Sequence, residues 1–246
     1  MKTSNKFLFF TLCLTWLGII CSWIYSAVYT SEKKLAFQNQ LHNQRGAQYQ
    51  VMDYHKDPVE GMFTVVSVRN SGHVFVFADS VPGIVRTMPK EMGPISEKDE
   101  TYSFEVKNDT LFLKGIQQRE GVAYTLHIGT QIRSFVIDSV NTLELFAGRD
   151  FRDDSISISS SNSRFVLGPD LLVGSLKYTA TSGSSLQAYA SIKHLYIDTE
   201  RSKVTIHNEL EDIRGLIKDF SEVSLPKNTQ EVNLKKDSDS RFYIRN

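Results

Sequence analysis

The sequence predicts an all-β protein in which an N-terminal transmembrane helix and a short polar stalk precede a parallel β-helix-like solenoid. The stretch Phe7–Tyr29 contains no charged residue. From residue 59 onwards, short runs alternate apolar and polar residues between Gly, Asn and Asp, which is typical of β-strands. In the second half, brief apolar triplets recur about 9–11 residues apart, so two strands fit into each repeat of about 20 residues, as a coiled solenoid requires.

Composition excludes several classes of protein. The 246 residues carry 28 Lys and Arg against 28 Asp and Glu, so the formal net charge is zero, and 41% of the residues are hydrophobic. A disordered chain would be less apolar, and a protein that binds nucleic acid through its phosphates would be more basic. Both cysteines, Cys13 and Cys21, lie in the apolar N-terminal stretch. The remainder therefore has no disulfide framework and no cysteine-based zinc site.

The apolar stretch Phe7–Tyr29 is long enough to cross a membrane, because about 23 helical residues span roughly 34 Å and a hydrocarbon core is about 30 Å thick. We interpret it as an uncleaved signal-anchor of a single-pass inner-membrane protein. Residues 1–6 then form a short cytoplasmic tail, and the C-terminal domain lies in the periplasm or otherwise outside the cytoplasm. A cleaved signal peptide is the main alternative, although its apolar region is normally about 7–15 residues long. A buried core helix is the third interpretation.

Two segments follow the apolar stretch. Residues 30–58 are polar and rich in Gln and Asn, which indicates a stalk, and residues 59–246 form the predicted solenoid domain. An antiparallel meander has a similar strand spacing, but the lack of Asn-Gly and Asp-Gly hairpin turns in the second half favours the solenoid. A weak helical pattern over residues 208–220 is interrupted by Gly215. The apolar triplets form two interleaved series, one starting at residues 165, 186, 204, 223 and 242 and the other at 156, 176, 195, 216 and 232.

Three segments carry a family resemblance: GMFTVVSVRNSGHVFVFADS at 61–80, VKNDTLFLKG at 106–115, and the run from SSLQAYA to SEVSL at 184–225. Over residues 63–234 the chain resembles the family called "putative auto-transporter adhesin, head GIN domain". That family is similar in layout, with an export segment, a β domain that opens with a Phe-x-x-Val-x-Val strand, and stacked short strands. The resemblance implies a parallel β-helix-like domain outside the cytoplasm, and it implies no catalytic residues.

One cluster of carboxylates is a candidate site. Asp150, Asp153 and Asp154 lie close together in the sequence. Paired carboxylates serve as acid and base in enzymes that cleave polysaccharides, and carboxylates also bind calcium. Because Arg149 and Arg152 alternate with the aspartates, a charge-balanced turn is the simpler interpretation.

Tyrosines in the repeat half form a second candidate. Tyr178, Tyr189, Tyr196 and Tyr243 could form an exposed ladder on which sugar rings stack, or could be half-buried strand residues.

The other polar residues show no catalytic or metal-binding pattern. The six histidines do not have the spacing of metal ligands, so no metal or other cofactor is expected. The serine-rich patch at residues 157–163 shows no nucleophile elbow and indicates outward-facing serines in solenoid turns.

These patterns favour a membrane-anchored, extracytoplasmic β-solenoid that acts as a non-catalytic binding, adhesion or scaffold protein of the bacterial envelope. The expected partners are the membrane, through Phe7–Tyr29, and an envelope protein or glycan. Nucleic acid is not an expected partner. A polysaccharide-acting β-helix enzyme is one alternative, and an envelope signalling or accessory subunit is another.

Overall fold

The computed structural model describes residues 52–78, 81–89, 102–117, 122–147 and 153–245, and all regular structure in these ranges is β-strand. These ranges hold no helix, hence none long and apolar enough to cross a membrane. The predicted anchor at Phe7–Tyr29 lies outside the described residues. The strands are β1 Met52–Pro58, β2 Val65–Ala78, β3 Gly83–Pro89, β4 Ser103–Lys107, β5 Thr110–Lys114, β6 Ala123–Ile128, β7 Ser134–Phe146, β8 Asp153–Ser161, β9 Arg164–Leu167, β10 Leu172–Thr181, β11 Ser185–Ala188, β12 Ser191–Glu200, β13 Lys203–Ile206, β14 Leu210–Lys218, β15 Glu222–Leu225, β16 Glu231–Lys236 and β17 Arg241–Ile244.

The strands stack in two parallel columns. The first column runs through β5, the first half of β2, the first half of β7, β8, β10, β12, β14 and β16. The second column runs through β6, the second halves of β2 and β7, β9, β11, β13, β15 and β17. The chain winds through about five turns from β7 to β17. The predicted parallel solenoid is confirmed, and the antiparallel meander is wrong for this part of the chain.

The predicted strand series agree with the observed register except at one position. In the second column, Phe165, Leu186, Val204, Val223 and Phe242 are direct neighbours on successive strands. In the first column, the neighbour of Leu195 and Val232 is Ile213, three residues before the predicted Leu216. The pattern over 208–220 that resembled a helix is strand β14.

Alternation along each strand places one set of side chains inside the solenoid. In β10, for example, Leu176, Tyr178 and Ala180 are buried, whereas Lys177 and Thr181 are exposed. A fully buried leucine or isoleucine contributes about 1.5–3 kcal/mol relative to an exposed one. Because one rung cannot cover its own inward face, this stabilisation depends on the rungs above and below.

Four successive corners between the two columns, those before β9, β11, β13 and β15, use the same backbone device. A residue with positive φ, such as Asn162 at 46° or Arg201 at 49°, is followed by a buried serine. The serine hydroxyl donates back across the corner, as from Ser202 Oγ to the Glu200 carbonyl at 2.7 Å. The corner serines of successive rungs are Ser163, Ser184, Ser202 and Ser221. They lie 18 to 21 residues apart along the chain, which is the length of one rung. The buried Ser240 holds the same place in the last described rung, but no positive-φ residue precedes it and its Oγ has no hydrogen-bond partner among the described residues.

The repeat is broken between β2 and β7. The intervening chain forms β5 and β6, which pair in parallel with β2 on the side opposite β7. Strands β3 and β4 then pair antiparallel with β6 and β5, and β1 pairs antiparallel with β3. Residues 52–58, predicted to belong to the polar stalk, are therefore strand β1, in which Pro58 stands opposite Gly83.

We expect Ser221→Ala to lower the free energy of unfolding by about 1–3 kcal/mol. The Ser221 hydroxyl donates to the Lys218 carbonyl at 2.6 Å and accepts from the buried Ser202 N–H at 3.2 Å, so its loss leaves a backbone donor without a partner. Urea unfolding measures the change. The control Ser157→Ala alters an outward serine of β8. An equal loss of stability in both variants would contradict the stabilising role of the Ser221 hydrogen bonds.

Substitution of Gly215 tests how closely β12 and β14 approach. Gly215 has φ of 137°, and a Cβ on it would collide with the carbonyl oxygen of Ile197. We expect Gly215→Ala to cost about 2–4 kcal/mol, because backbone strain and overpacking add. Thermal or urea unfolding measures the cost. Gly183→Ala is the matched control, since Gly183 also has positive φ but faces open space. Equal destabilisation by the two changes would mean that the close approach has no cost.

Candidate functional site

The structure separates the tyrosines that the sequence grouped as a ladder. Tyr178 is fully buried, because it shares the inward face of β10 with Leu176, and burial raises the pKa of its hydroxyl. It is therefore not a surface residue, and the interpretation of Tyr178 as part of a sugar ladder is wrong. Tyr196 and Tyr189 are 47% and 38% exposed. Tyr196 lies in the first column and Tyr189 directly follows a strand of the second.

The predicted carboxylate cluster is only partly within the described residues. Asp150 lies outside them. Asp153 and Asp154 begin strand β8, where Asp153 is the backbone neighbour of Val173. Their side chains are not described, so both the acid-base and the calcium hypotheses for this cluster stay predictions. The described residues contain no group of three or more His, Cys, Asp or Glu side chains that could hold a metal ion.

Ser175, His194 and Asp212 occupy one outward row across β10, β12 and β14, and His194 Nδ1 is hydrogen-bonded to Asp212 Oδ2. This composition is that of a serine-hydrolase triad. Among the described residues, Ser175 and His194 form no hydrogen bond with each other, and the His194 side chain is more than half exposed. The backbone N–H groups of these strands are used in the parallel ladder, so they do not form an oxyanion hole. The row therefore lacks the geometry for acyl transfer.

Half-buried aromatic rings cover the outer face of the second column where β2, β6 and β7 meet. Phe77 lies 5.1 Å from Phe146 and 6.1 Å from His127 between ring centroids, with interplanar angles of 19° and 24°. Phe75 contacts the same group, at 6.3 Å from Phe146. At these distances the rings pack their faces against one another. The cluster therefore stabilises three neighbouring rungs.

A stacked histidine ties the last rung to an earlier one. The ring of His207 lies 4.2 Å from that of Tyr189 at an interplanar angle of 11°. Arg245 donates from Nη1 to His207 Nδ1 at 3.2 Å and from Nη2 to the Ile206 carbonyl. Since arginine is only a donor, His207 is neutral and carries its proton on Nε2. Burial and the nearby Arg245 charge lower the pKa of His207.

A surface pocket of about 420 Å³ opens on the first column, where β4 and β5 extend the sheet beyond β2. Two rows of outward side chains form its floor. Ser67, Phe112 and Glu105 are direct neighbours in one row. Arg69, Lys114 and Ser103 are direct neighbours in the other. Phe104 and Leu113 complete the lining. The volume lies in the range of small-molecule sites, about 300–1,000 Å³.

The hairpin that brings β4 to the pocket has a tight turn. Asn108 and Asp109 both have positive φ, at 49° and 61°, as a two-residue type I′ hairpin requires. The Asp109 carbonyl accepts from the N–H groups of Thr64 and Val65 at 3.1 and 3.2 Å, so the turn is fixed to the start of β2.

Two cations stand side by side in this pocket. Arg69 and Lys114 are exposed register neighbours, and neither forms a salt bridge within the described residues. Asp138 is the neighbour of Arg69 on β7, but its Oδ1 accepts from Ser139 Oγ and it makes no ion pair with Arg69. Like charges directly opposite each other are destabilising, so an anion bound between them would relieve their repulsion.

The pocket also holds an unsatisfied hydroxyl. Ser67 is 3% exposed, and its Oγ has no hydrogen-bond partner among the described residues. A buried polar group without a partner costs about 1–3 kcal/mol. Glu105 is the sole carboxylate in the described lining, whereas glycoside hydrolysis needs a pair. This arrangement can hold a polar, anionic ligand, and the described residues offer no second group for acid-base cleavage.

The sequence analysis did not identify this pocket. Ser67, Arg69 and Lys114 lie in segments that we quoted only because they carry the family resemblance. Ser67 and Phe112 are 45 residues apart in the chain and become neighbours through the pairing of β2 with β5. The one local signal was the Asn108-Asp109 turn, which places β4 beside β5.

Comparison with known proteins supports the fold. No protein-family model matches the sequence, and no curated protein matches it. A solved structure named "putative adhesin" from Bacteroides fragilis is similar, with a TM-score of 0.55 and 12% identity over 78% of this chain and 95% of that one. Another "putative adhesin", from Parabacteroides distasonis, has a TM-score of 0.52 and 10% identity over 80% of this chain and 94% of that one. Membership of the head GIN domain family stays a prediction.

The Tyr189–His207–Arg245 contact leads to a prediction about pH. A histidine in an unfolded chain has a pKa of about 6.5, and His207 has a lower one in the folded protein. The stabilisation from neutral His207 is therefore complete above pH 6.5 and is lost as the pH falls through the folded-state pKa. Urea unfolding of wild type and His207→Gln at pH 5–8 measures this. We expect the stability difference between them to shrink towards acid, and a difference independent of pH would contradict the assignment.

Proposed function

We propose that the protein is a non-catalytic glycan-binding protein of the bacterial envelope, and that the pocket between Arg69, Lys114 and Glu105 binds an acidic sugar residue. The observation that carries the proposal is the pair of neighbouring cations beside the buried, unpartnered hydroxyl of Ser67. Anchoring through Phe7–Tyr29 would hold this pocket outside the inner membrane. The fold is similar to that of structures named "putative adhesin", and this similarity of fold supports a binding role.

The charges in the pocket indicate what kind of ligand fits. Arg69 and Lys114 occupy one row, where they attract a carboxylate. Glu105 lies in the other row, where it accepts hydrogen bonds from hydroxyl groups and repels a second negative charge. A ligand with one carboxylate and several hydroxyls satisfies both rows, and a uronic acid residue has this combination.

The aromatic side chains favour a sugar over an acidic peptide. Phe112 is a half-buried outward residue between Ser67 and Glu105, and Phe104 also lines the pocket. The apolar C–H face of a pyranose packs on an aromatic ring while its hydroxyls reach polar groups at the ring edge. An aspartate or glutamate side chain would satisfy the cations but offers no hydroxyl to Glu105.

We expect the full chain in detergent to bind oligogalacturonate, and Arg69→Gln and Lys114→Gln each to weaken binding about tenfold or more, because each removes a charge-assisted contact of about 1.5–3 kcal/mol. Isothermal titration calorimetry measures the affinities. Lys193→Gln is the matched control, since it removes an exposed lysine of β12 outside the pocket. The proposal is wrong if the neutral, methyl-esterified oligomer binds equally well, or if Lys193→Gln weakens binding as much as Arg69→Gln does.

A further inference from the structure

The last rung of the described solenoid exposes apolar side chains at two strand edges. Strand β16 pairs with β14 and β17 pairs with β15, and neither strand has a second partner among the described strands. Phe242 and Ile244 are 40% and 47% exposed, whereas their counterparts one rung earlier, Val223 and Leu225, are fully buried. Unpaired edges of this kind are templates for another strand.

From this end of the solenoid, the geometry points to a dimer in which β16 pairs antiparallel with β16 of a second copy of this chain. When a two-fold axis perpendicular to the sheet relates two antiparallel strands, the residue numbers of every pair of opposite residues add up to the same value. Two opposite side chains can contact each other only if both lie on the same face of the sheet. This symmetry restricts β16 to a few registers, which differ in the side chains that they bring together.

One register matches both charge and polarity. With the axis at Asn233, Glu231 stands opposite Lys235 of the second copy on the outer face, and Val232 stands opposite Leu234 on the inner face. Because of the symmetry, each of these contacts occurs twice. Opposite charges and apolar pairs in facing positions stabilise a two-stranded pairing.

The neighbouring registers are worse. With the axis at Leu234, Glu231 faces Asp237 and Val232 faces Lys236, so like charges meet and an apolar residue meets a charged one. With the axis at Val232, Leu234 faces Gln230 and the charge pair is lost. The second copy is therefore specified by the sequence of β16 itself, which is the requirement for an isologous interface.

Glu231 and Lys235 are held only weakly, or not at all, by ion pairs among the described residues of one chain. Glu231 has one ion pair, to Arg214 at 3.6 Å, and both side chains are more than half exposed, so that contact is weak. Arg214 also contacts Asp212 at 3.4 Å and keeps that partner when Glu231 turns to a second copy. Lys235 is exposed and has no salt bridge within the described residues. End-to-end stacking would also cover Phe242 and Ile244.

Charge reversal tests the register in the full chain, solubilised in detergent and examined by density-matched sedimentation. Glu231→Lys alone and Lys235→Glu alone each place like charges opposite each other, and we expect each to weaken the dimer about tenfold or more. The double variant restores opposite charges, and we expect it to dimerise as the wild type does. A wild type that stays monomeric at 100 µM overturns the proposal, and a double variant as weak as the single variants overturns the register.

Cross-linking at the axis gives an independent readout. In a Cys13→Ser, Cys21→Ser background, Asn233→Cys places two thiols opposite each other, and we expect mild oxidation to give a disulfide-linked dimer in high yield. Lys193→Cys, on an exposed position of β12 away from the edge, is the control. Cross-linking that is equal at both positions, or absent at residue 233, overturns the proposed contact. Neither outcome bears on the glycan pocket, which lies on β2, β4 and β5.

Discussion

At the corners before β9, β11, β13 and β15 the backbone passes through a residue with positive φ, and the serine that follows closes the turn with its own hydroxyl. The hydroxyls of Ser163, Ser184, Ser202 and Ser221 donate to carbonyls two or three residues earlier in their own rungs, at 2.6–2.7 Å. Ser163 and Ser221 also accept from backbone N–H groups of the neighbouring rung, at 2.9 and 3.2 Å. Each of these four corners therefore satisfies buried polar groups that a turn would otherwise leave without partners. Each also fixes which residue begins the next strand.

That fixed starting point explains why the two columns stay in register over many rungs. Side chains in a strand alternate between faces, so a slip of one residue would move every inward residue of a rung to the outside. Each corner serine stands directly before a strand of the second column, and that strand starts with the same parity in each rung. The outward positions are then free to vary, since they carry no part of the core. Serines dominate the outer face of β8, whereas His194, Tyr196 and Asp198 occupy the equivalent face of β12.

The sequence was sufficient to predict the solenoid because inward apolar residues recur with the length of a rung. Its one register error, at Leu216, arises because β14 offers apolar residues at 213, 216 and 217, and Gly215 between them disturbs the alternation. Of the corner serines, only Ser163 was part of a prediction, as an outward-facing serine of the patch at residues 157–163. Local sequence does not show that a serine after a positive-φ residue turns its hydroxyl into the corner. The pocket depends on pairing between segments 45 residues apart, and no local pattern contains that information.

The candidate pocket lies where the repeat is interrupted, and there is a physical reason for that position. Within the regular rungs, strands β8 to β15 each have a parallel neighbour on both sides, and the outer face is a nearly flat array of side chains. A cavity needs a wall, which a uniform stack does not supply. The hairpin of β4 and β5 extends the sheet beyond β2 through antiparallel pairing, and it brings Phe104 and Glu105 beside outward residues of β2. The same insertion leaves Arg69 beside Lys114, an unfavourable pairing that the core does not require. The repulsion between these two cations brings no gain in packing. A bound anion that relieves the repulsion is the simplest explanation for their arrangement.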